Sequence, residues 1–241
     1  MTHDTHVWAA LDTVRDPELD TSIVELGFVI GCALDTDGTA RVRLRLPTYF
    51  CAPNFAFLMV ADAHDAVSSV AGVSCAEIVL EDHFASAEIN AGVAAKAGFV
   101  AAFDGLAEHE LGELRRDFLR KAMLAAQERT VRPLIAAGHT MEALGRMRLG
   151  DLPDTSPQRQ LRARRAELGI PSGDDDPLLV TAHGDRVPGN EIPVHLRRAR
   201  TIRVGIEANT DYCRQLLTER YRLSPASAAQ APLVVRAHPP R

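Results

Sequence analysis

What this sequence has little of narrows its class first. Cysteine is scarce: four residues in 241, widely spaced at Cys32, Cys51, Cys75 and Cys213. That number excludes a disulfide scaffold and suits a reducing compartment. No Cys-x-x-Cys pair occurs, so a tetrahedral zinc site has no support. Aromatic residues make up 5% and are not interleaved with the basic ones, which argues against a nucleic-acid surface. No stretch approaches the ~18 consecutive apolar residues of a membrane span. The N-terminal stretch lacks the basic region of a signal peptide. What is present, 46% apolar and 24% charged residues, excludes wholesale disorder. A soluble, cytoplasmic protein of roughly one to two domains is expected.

The net charge of −5 hides an asymmetry. Residues 1–92 carry a net −10 and residues 93–241 a net +5. The split predicts two regions with different tasks.

Within 1–92 the pattern is that of a compact α/β unit. Val7, Trp8, Leu11 and Val14 share one face of a short helix. Asp16-Pro17 stops it, because a residue ahead of proline is pushed out of the α region. An apolar run over 26–34 reads as a strand, and Asp35-Thr36-Asp37-Gly38 as a turn with Gly38 left-handed. Next, Arg41, Arg43 and Arg45 alternate with Val42, Leu44 and Leu46, a strand with one wet or partnered face. Pro47 ends it, 48–52 form a loop, and Pro53 opens a helix to about Val70. Phe57, Val60, Ala61, His64 and Val67 lie on one side of that helix. Gly72 closes it, and 73–80 form a third strand. Helix, strand, strand, helix, strand gives a small mixed sheet: a hairpin plus a strand added through a helical crossover.

The spacing of Phe99, Phe103, Leu106, Leu111, Leu114, Phe118 and Leu119, opposite Arg115, Arg116, Arg120 and Lys121, predicts a strongly helical 93–149. Gly138 reads as a helix end and Thr140 as an N-cap. Linkers are expected near 150–158 and 169–177, around a basic helix at 160–168. A short strand is expected at 178–181, and a last helix starts at Asn190 and Pro193. The Ala/Pro/Ser content of 223–241 predicts a disordered tail. The fold class is α+β: an α/β domain over 1–90, a mainly helical extension over 91–222, and the tail.

Cys51 is the leading chemical candidate. It lies in a loop just ahead of a helix start, where free N–H groups and the dipole favour a thiolate. A thiolate ligates soft metals or acts as a nucleophile; the competing reading is a small buried hydrophobe. Asp16-Pro17-Glu18-Leu19, followed by Glu25, reads either as carboxylates facing a cleft or as the solvated acids of a turn. Cys32 and Cys75 fall in expected strands, read as core residues, and approach one another if those strands pair. His64 reads as a packed or exposed histidine, and His83 follows the third strand. Arg41, Arg43 and Arg45 are three of only four bases in 1–92. They read as a solvated sheet face, or as a docking face for acids such as Asp174-Asp175-Asp176 or a partner. The helix bearing Arg115 and Arg116 reads as core or as a partner-binding element. The polar run 209–214 suggests a site without a mechanism.

Asp16-Pro17-Glu18-Leu19, Ser22-Ile23-Val24-Glu25-Leu26-Gly27, Asp37-Gly38, Pro47-Thr48-Tyr49 with Cys51, and Gly72-Val73 before a strand follow one another in an order and spacing that resembles the small metal–sulfur (iron–sulfur) cluster assembly family. That family includes the targeting factor of cytosolic iron–sulfur assembly. It also includes the maturation protein encoded with the bacterial phenylacetyl-CoA epoxidase, the branch that Pro47-Thr48-Tyr49 resembles most. The resemblance spans residues 7–80. Family members usually carry proline directly after the cysteine, whereas Ala52 intervenes here. The resemblance implies that Asp16, Thr48 and Cys51 line the functional cleft, with Cys51 the ligand of a transient iron or iron–sulfur cluster. It further implies a maturation factor rather than an enzyme, whose client is a metalloenzyme such as a di-iron oxygenase subunit. Glu18, Glu25, Arg41, Arg43, Arg45, Arg115 and Arg116 are the expected partner-binding residues, and a homo-oligomer is open. The alternative is a metal-independent assembly chaperone; a thiol enzyme using Cys51 as nucleophile ranks third.

Overall fold

The computed structural model describes residues 2–221; the expected tail lies outside the described residues. They form two compact units, one of residues 2–17, Thr21–Leu111 and 210–221, the other of Glu18–Asp20 and Gly112–Asn209. The architecture is α+β: small sheets with helices, then a mostly helical region.

In the first unit, α1 (Thr2–Thr13) buries Val7 and Leu11, the face read from their spacing. A two-residue pair follows, β1 (Arg15–Asp16) and β2 (Thr21–Ser22), too short to show as a sequence pattern. The main sheet holds β3 (Val29–Leu34), β4 (Thr39–Arg45) and β5 (Cys75–Glu81), with β4 central, antiparallel to β3 and parallel to β5. The strand expected over 26–34 starts at Val29, because the chain is still turning at Gly27, where φ is +77°. The β3–β4 turn falls where expected. Gly38 has φ +84°, and the Asp37 carboxylate accepts the Thr39 N–H at 2.9 Å.

Val42 and Leu44 face the core, whereas Arg41 and Arg43 are exposed. The crossover helix α2 (Pro53–Ser68) packs against β5, α1 and α3 and buries Phe57, Leu58, Met59, Val60, Ala63 and Val67, while Ala61 and His64, expected on its apolar side, are half-buried. Each large apolar side chain buried this way contributes roughly 1.5–3 kcal/mol.

The first unit extends past residue 90. Helix α3 (Ser86–Ala94) packs on β5, where Asn90 donates to the Leu80 carbonyl and accepts the Leu80 N–H. A short helix α4 (Phe99–Ala102) follows, with Phe99 against Phe57. The strongly helical run expected over 93–149 is interrupted here. The Glu110 carboxylate folds back to accept the N–H groups of Phe99 and Val100, and the chain turns at Gly105, φ +72°. Leu106, expected on the apolar face, is 84% exposed.

The second unit is built from α5 (Gly112–Ala136), α6 (Met141–Arg146), α7 (Ser156–Glu167) and the start of α8 (Ile192–Tyr221). Thr140 caps α6 by accepting the Ala143 N–H, as expected, and Thr155 caps α7, so that helix begins inside the expected 150–158 linker. Met123, Leu144, Leu149, Leu161, Leu178 and Ile192 form its core. No strand forms at 178–181. Side chains take part of the backbone's hydrogen bonding there: Gln127 pairs with both the N–H and the C=O of Val180, and Arg165 donates to the Leu178 carbonyl, while the Leu178 and Thr181 N–H groups reach the Met147 and Asp185 carbonyls. Only isolated bridges remain. Asp20 belongs to this unit because it accepts from Arg164 and from Gln160, both at 2.7 Å.

Candidate functional site

The loop between β4 and α2 carries Cys51. Pro47 ends the strand, and Pro53 takes the first position of α2, whose N-cap is Ala52 with no capping side chain. Cys51 is therefore held one residue ahead of a helix N-terminus and is half-buried. The Thr48 hydroxyl lies 3.2 Å from its sulfur. The structure thus brings Thr48 and Cys51 together. Asp16 is buried in β1, which packs against α2.

The loop is laced to the segment that follows β5. Asp82 takes a left-handed φ of +55°, turning His83 inward, where it is 3% exposed. His83 Nδ1 accepts the Ala85 N–H at 3.2 Å, so its Nε2 carries the proton and donates to the Cys51 carbonyl at 2.7 Å. The Phe84 N–H donates to the Tyr49 carbonyl at 3.1 Å. Sequence reasoning left the direction of His83 open; its distance from Cys51 along the chain hides the contact.

Three aromatic rings surround this lacing. Tyr49, Phe50 and Phe84 lie with centroids 5.0–6.3 Å apart and are all exposed, Phe50 by 76%. Sequence reasoning gave them no role, although Tyr49-Phe50 beside Cys51 was a visible signal. Single exposed apolar residues are ordinary, but three in contact form a patch.

The end of α8 braces both flanks of the loop. Arg220 donates to the Leu46 and Asp82 carbonyls and pairs with the Asp82 carboxylate at 2.7 Å. The Tyr221 hydroxyl donates to the same carboxylate at 2.9 Å, while Arg45 stacks over the Tyr221 ring. Partial burial, then the hydrogen bond to Asp82, pushes the Tyr221 phenol up to about 12.

The other sequence candidates separate. Arg41 pairs with Asp35 and Glu77, and Arg43 and Arg45 with Glu81, so the arginine row is matched on its own sheet face. Glu81 is held below the usual carboxylate range by its hydrogen bond from Arg43. Asp174 and Asp175 pair instead with Arg162 and Arg148. Glu25 pairs with Arg214, and Glu18 accepts from Asn209. Arg116 is exposed and pairs with Glu113. Cys32 is buried as expected, but Cys75 is exposed: β5 is an edge strand, and Cys75 lies on the face of Glu77 and Val79, opposite Ile78 and Leu80. Cys32 and Cys75 are not adjacent, since β4 lies between their strands. Among the described residues, no group of three or more His, Cys, Asp or Glu is placed to hold a metal ion, and no helix is long and apolar enough to cross a membrane.

Fold and site together define a thiol-presenting α/β domain, its cysteine loop tied to a buried histidine and bordered by exposed aromatic residues. Residues 4–80 match the model of the family described as iron–sulfur cluster assembly protein. An uncharacterized protein of Methanocaldococcus jannaschii is 33% identical over 81 residues, covering 34% of this chain and 83% of that relative. The chain belongs to the iron–sulfur cluster assembly protein family through its N-terminal third, which gives it a role in iron–sulfur cluster assembly. No solved structure matches the chain.

Proposed function

We propose that this protein is a maturation factor that hands an iron–sulfur cluster, or iron, to a client metalloenzyme, with Cys51 as the thiolate that contacts the cargo. The observation that carries the reading is the fixed cysteine loop: Thr48 beside the sulfur and His83 on the Cys51 carbonyl hold a soft ligand at the surface. A single thiolate does not complete the coordination of a metal or cluster. Among the described residues no group of three or more His, Cys, Asp or Glu is placed to hold a metal ion; in this reading the remaining ligands come from the donor or the client. Asp16 and Thr48 shape the cleft in this reading. The aromatic patch at Tyr49, Phe50 and Phe84 meets the client, with Arg115 and Arg116 as second contacts. A di-iron monooxygenase subunit is the client that the Pro47-Thr48-Tyr49 wording suggests.

The test is to co-express the chain with such a client and measure the client's iron. Cys51→Ala should lower client iron severalfold while the variant keeps its circular dichroism spectrum; equal iron with both forms contradicts the proposal. The exposed aromatic patch also fits a second reading, a metal-independent assembly chaperone. That reading expects Cys51→Ala to be harmless and Phe50→Ser with Phe84→Ser to abolish co-purification with the client.

A further inference from the structure

A second surface lies within the second unit. Helices α5 and α8 border a groove of about 580 Å³. Its apolar floor includes Val131 and Ile135 of α5 and Leu196 of α8; its basic rims are Arg132 on α5 and Arg197 and Arg200 on α8. The positions 131, 132 and 135, and 196, 197 and 200, each recur at helical spacing, so each helix gives one face to the groove. Arg203, also in the lining, is buried and committed to Glu128 and Glu207. Arg132, Arg197 and Arg200 are different. All three are exposed and, among the described residues, none of their guanidinium groups makes an ion pair or hydrogen bond. Ile135 is 40% exposed, an apolar side chain left uncovered between them.

We propose that this groove receives an acidic amphipathic helix of a partner protein. The floor requires an apolar stripe, and the unpaired guanidiniums on both rims require carboxylates on either side of that stripe. A helix carries this pattern naturally, with apolar residues at i, i+3, i+4 and i+7 and acids beside them, and a groove between two helices takes a third. The net positive charge of the unit, 17 Lys+Arg against 13 Asp+Glu over residues 112–209, supports an acidic partner. A compact anion would use the arginines without the floor, and an apolar peptide would leave the arginines unused. The inference stands apart from the cluster-transfer reading, because it involves neither Cys51 nor its loop.

The test uses the full chain and a fluorescein-labelled amphipathic peptide of about four helical turns, with leucines along one stripe and glutamates beside it. Its twin carries lysines in place of the glutamates. The acidic peptide should bind by fluorescence anisotropy, more weakly as salt rises, and the twin about tenfold or more weakly. The combined variant Arg132→Ser, Arg197→Ser, Arg200→Ser should lose about tenfold in affinity, the sum of three exposed charge pairs. Ile135→Asp should lose at least as much through the floor. The four side chains changed, Arg132, Ile135, Arg197 and Arg200, are all exposed, and thermal melting by circular dichroism verifies that each variant folds. Equal affinity for the two peptides, or full affinity in the triple-arginine variant, overturns the proposal. So does stoichiometric displacement of the peptide by dodecanoate, which would make a small amphiphilic anion the occupant.

Discussion

His83 orders a loop more than thirty residues away from it. Its ring accepts one backbone N–H and donates to the Cys51 carbonyl, and it does so while 3% exposed. His83→Phe keeps most of the ring volume but leaves that carbonyl and the Ala85 N–H without partners. The expected cost is about 1–3 kcal/mol in urea unfolding, together with faster proteolysis within residues 47–52. The other residue-scale anchor is Tyr221. Its pKa is raised to about 12, so the neutral phenol's contribution to stability is fully present below the ordinary pKa of 10 and is lost as pH rises through 12. An ultraviolet alkaline titration should show a late tyrosine component that disappears in Tyr221→Phe. The place of Cys51 ahead of a helix start was legible in the sequence because proline punctuation fixes where the strand ends and the helix begins, whereas Thr48 entered through the family resemblance alone. His83 was not, because nothing in a single chain reports which way a histidine turns after a strand ends at a left-handed residue.

At the scale of elements, the alternation of Arg41, Arg43 and Arg45 with apolar residues fixed β4, and Gly38 and Pro53 fixed the turn and the crossover that flank it. Local chemistry decided those elements. The expected strand at 178–181 fails for a tertiary reason. Its hydrogen bonds go to scattered single partners and not to one neighbouring strand: Val180 to Gln127, the Leu178 carbonyl to Arg165, the Leu178 N–H to Met147 and the Thr181 N–H to Asp185. Arg165 is fully buried, and burial lowers its pKa to about 10. Its guanidinium donates to the Pro177 and Leu178 carbonyls. Arg165→Met should therefore cost about 2–4 kcal/mol, since buried carbonyls lose charged donors. Urea unfolding of the variant checks this.

His195 belongs to the same cluster. Its Nε2 lies 2.6 Å from Gln127 Nε2, whose other contact, donation to the Val180 carbonyl, fixes the amide as donor and the imidazole as the neutral acceptor. Burial, then the charge of Arg198, lowers the His195 pKa. A lowered pKa gives stability that is present above the ordinary value near 6.5 and lost as pH falls through the folded value. The melting temperature should drop between pH 7.5 and 5.5, and His195→Leu should narrow that drop.

For the whole molecule, the −10 and +5 split of the sequence does point to two regions, but the boundary is not a single point along the chain. Residues 210–221 belong with the N-terminal unit, and Glu18–Asp20 with the other. Composition cannot reveal such exchanges, because they rest on particular pairs: Asp20 with Arg164, Arg220 with Asp82, and Leu217 near Gly27. A chain ending at residue 209 should lower the urea midpoint reported by Trp8, the only tryptophan. An unchanged midpoint would separate α8 from the stability of that unit.

The central claim concerns Cys51 and is tested most directly by cluster transfer in vitro. A scaffold protein loaded with a [2Fe–2S] cluster is mixed anaerobically with an apo-acceptor, and visible circular dichroism follows the cluster. The wild-type chain is expected to accelerate transfer, Thr48→Val to do so less, and Cys51→Ser not at all. Equal acceleration by wild type and Cys51→Ser would contradict the account.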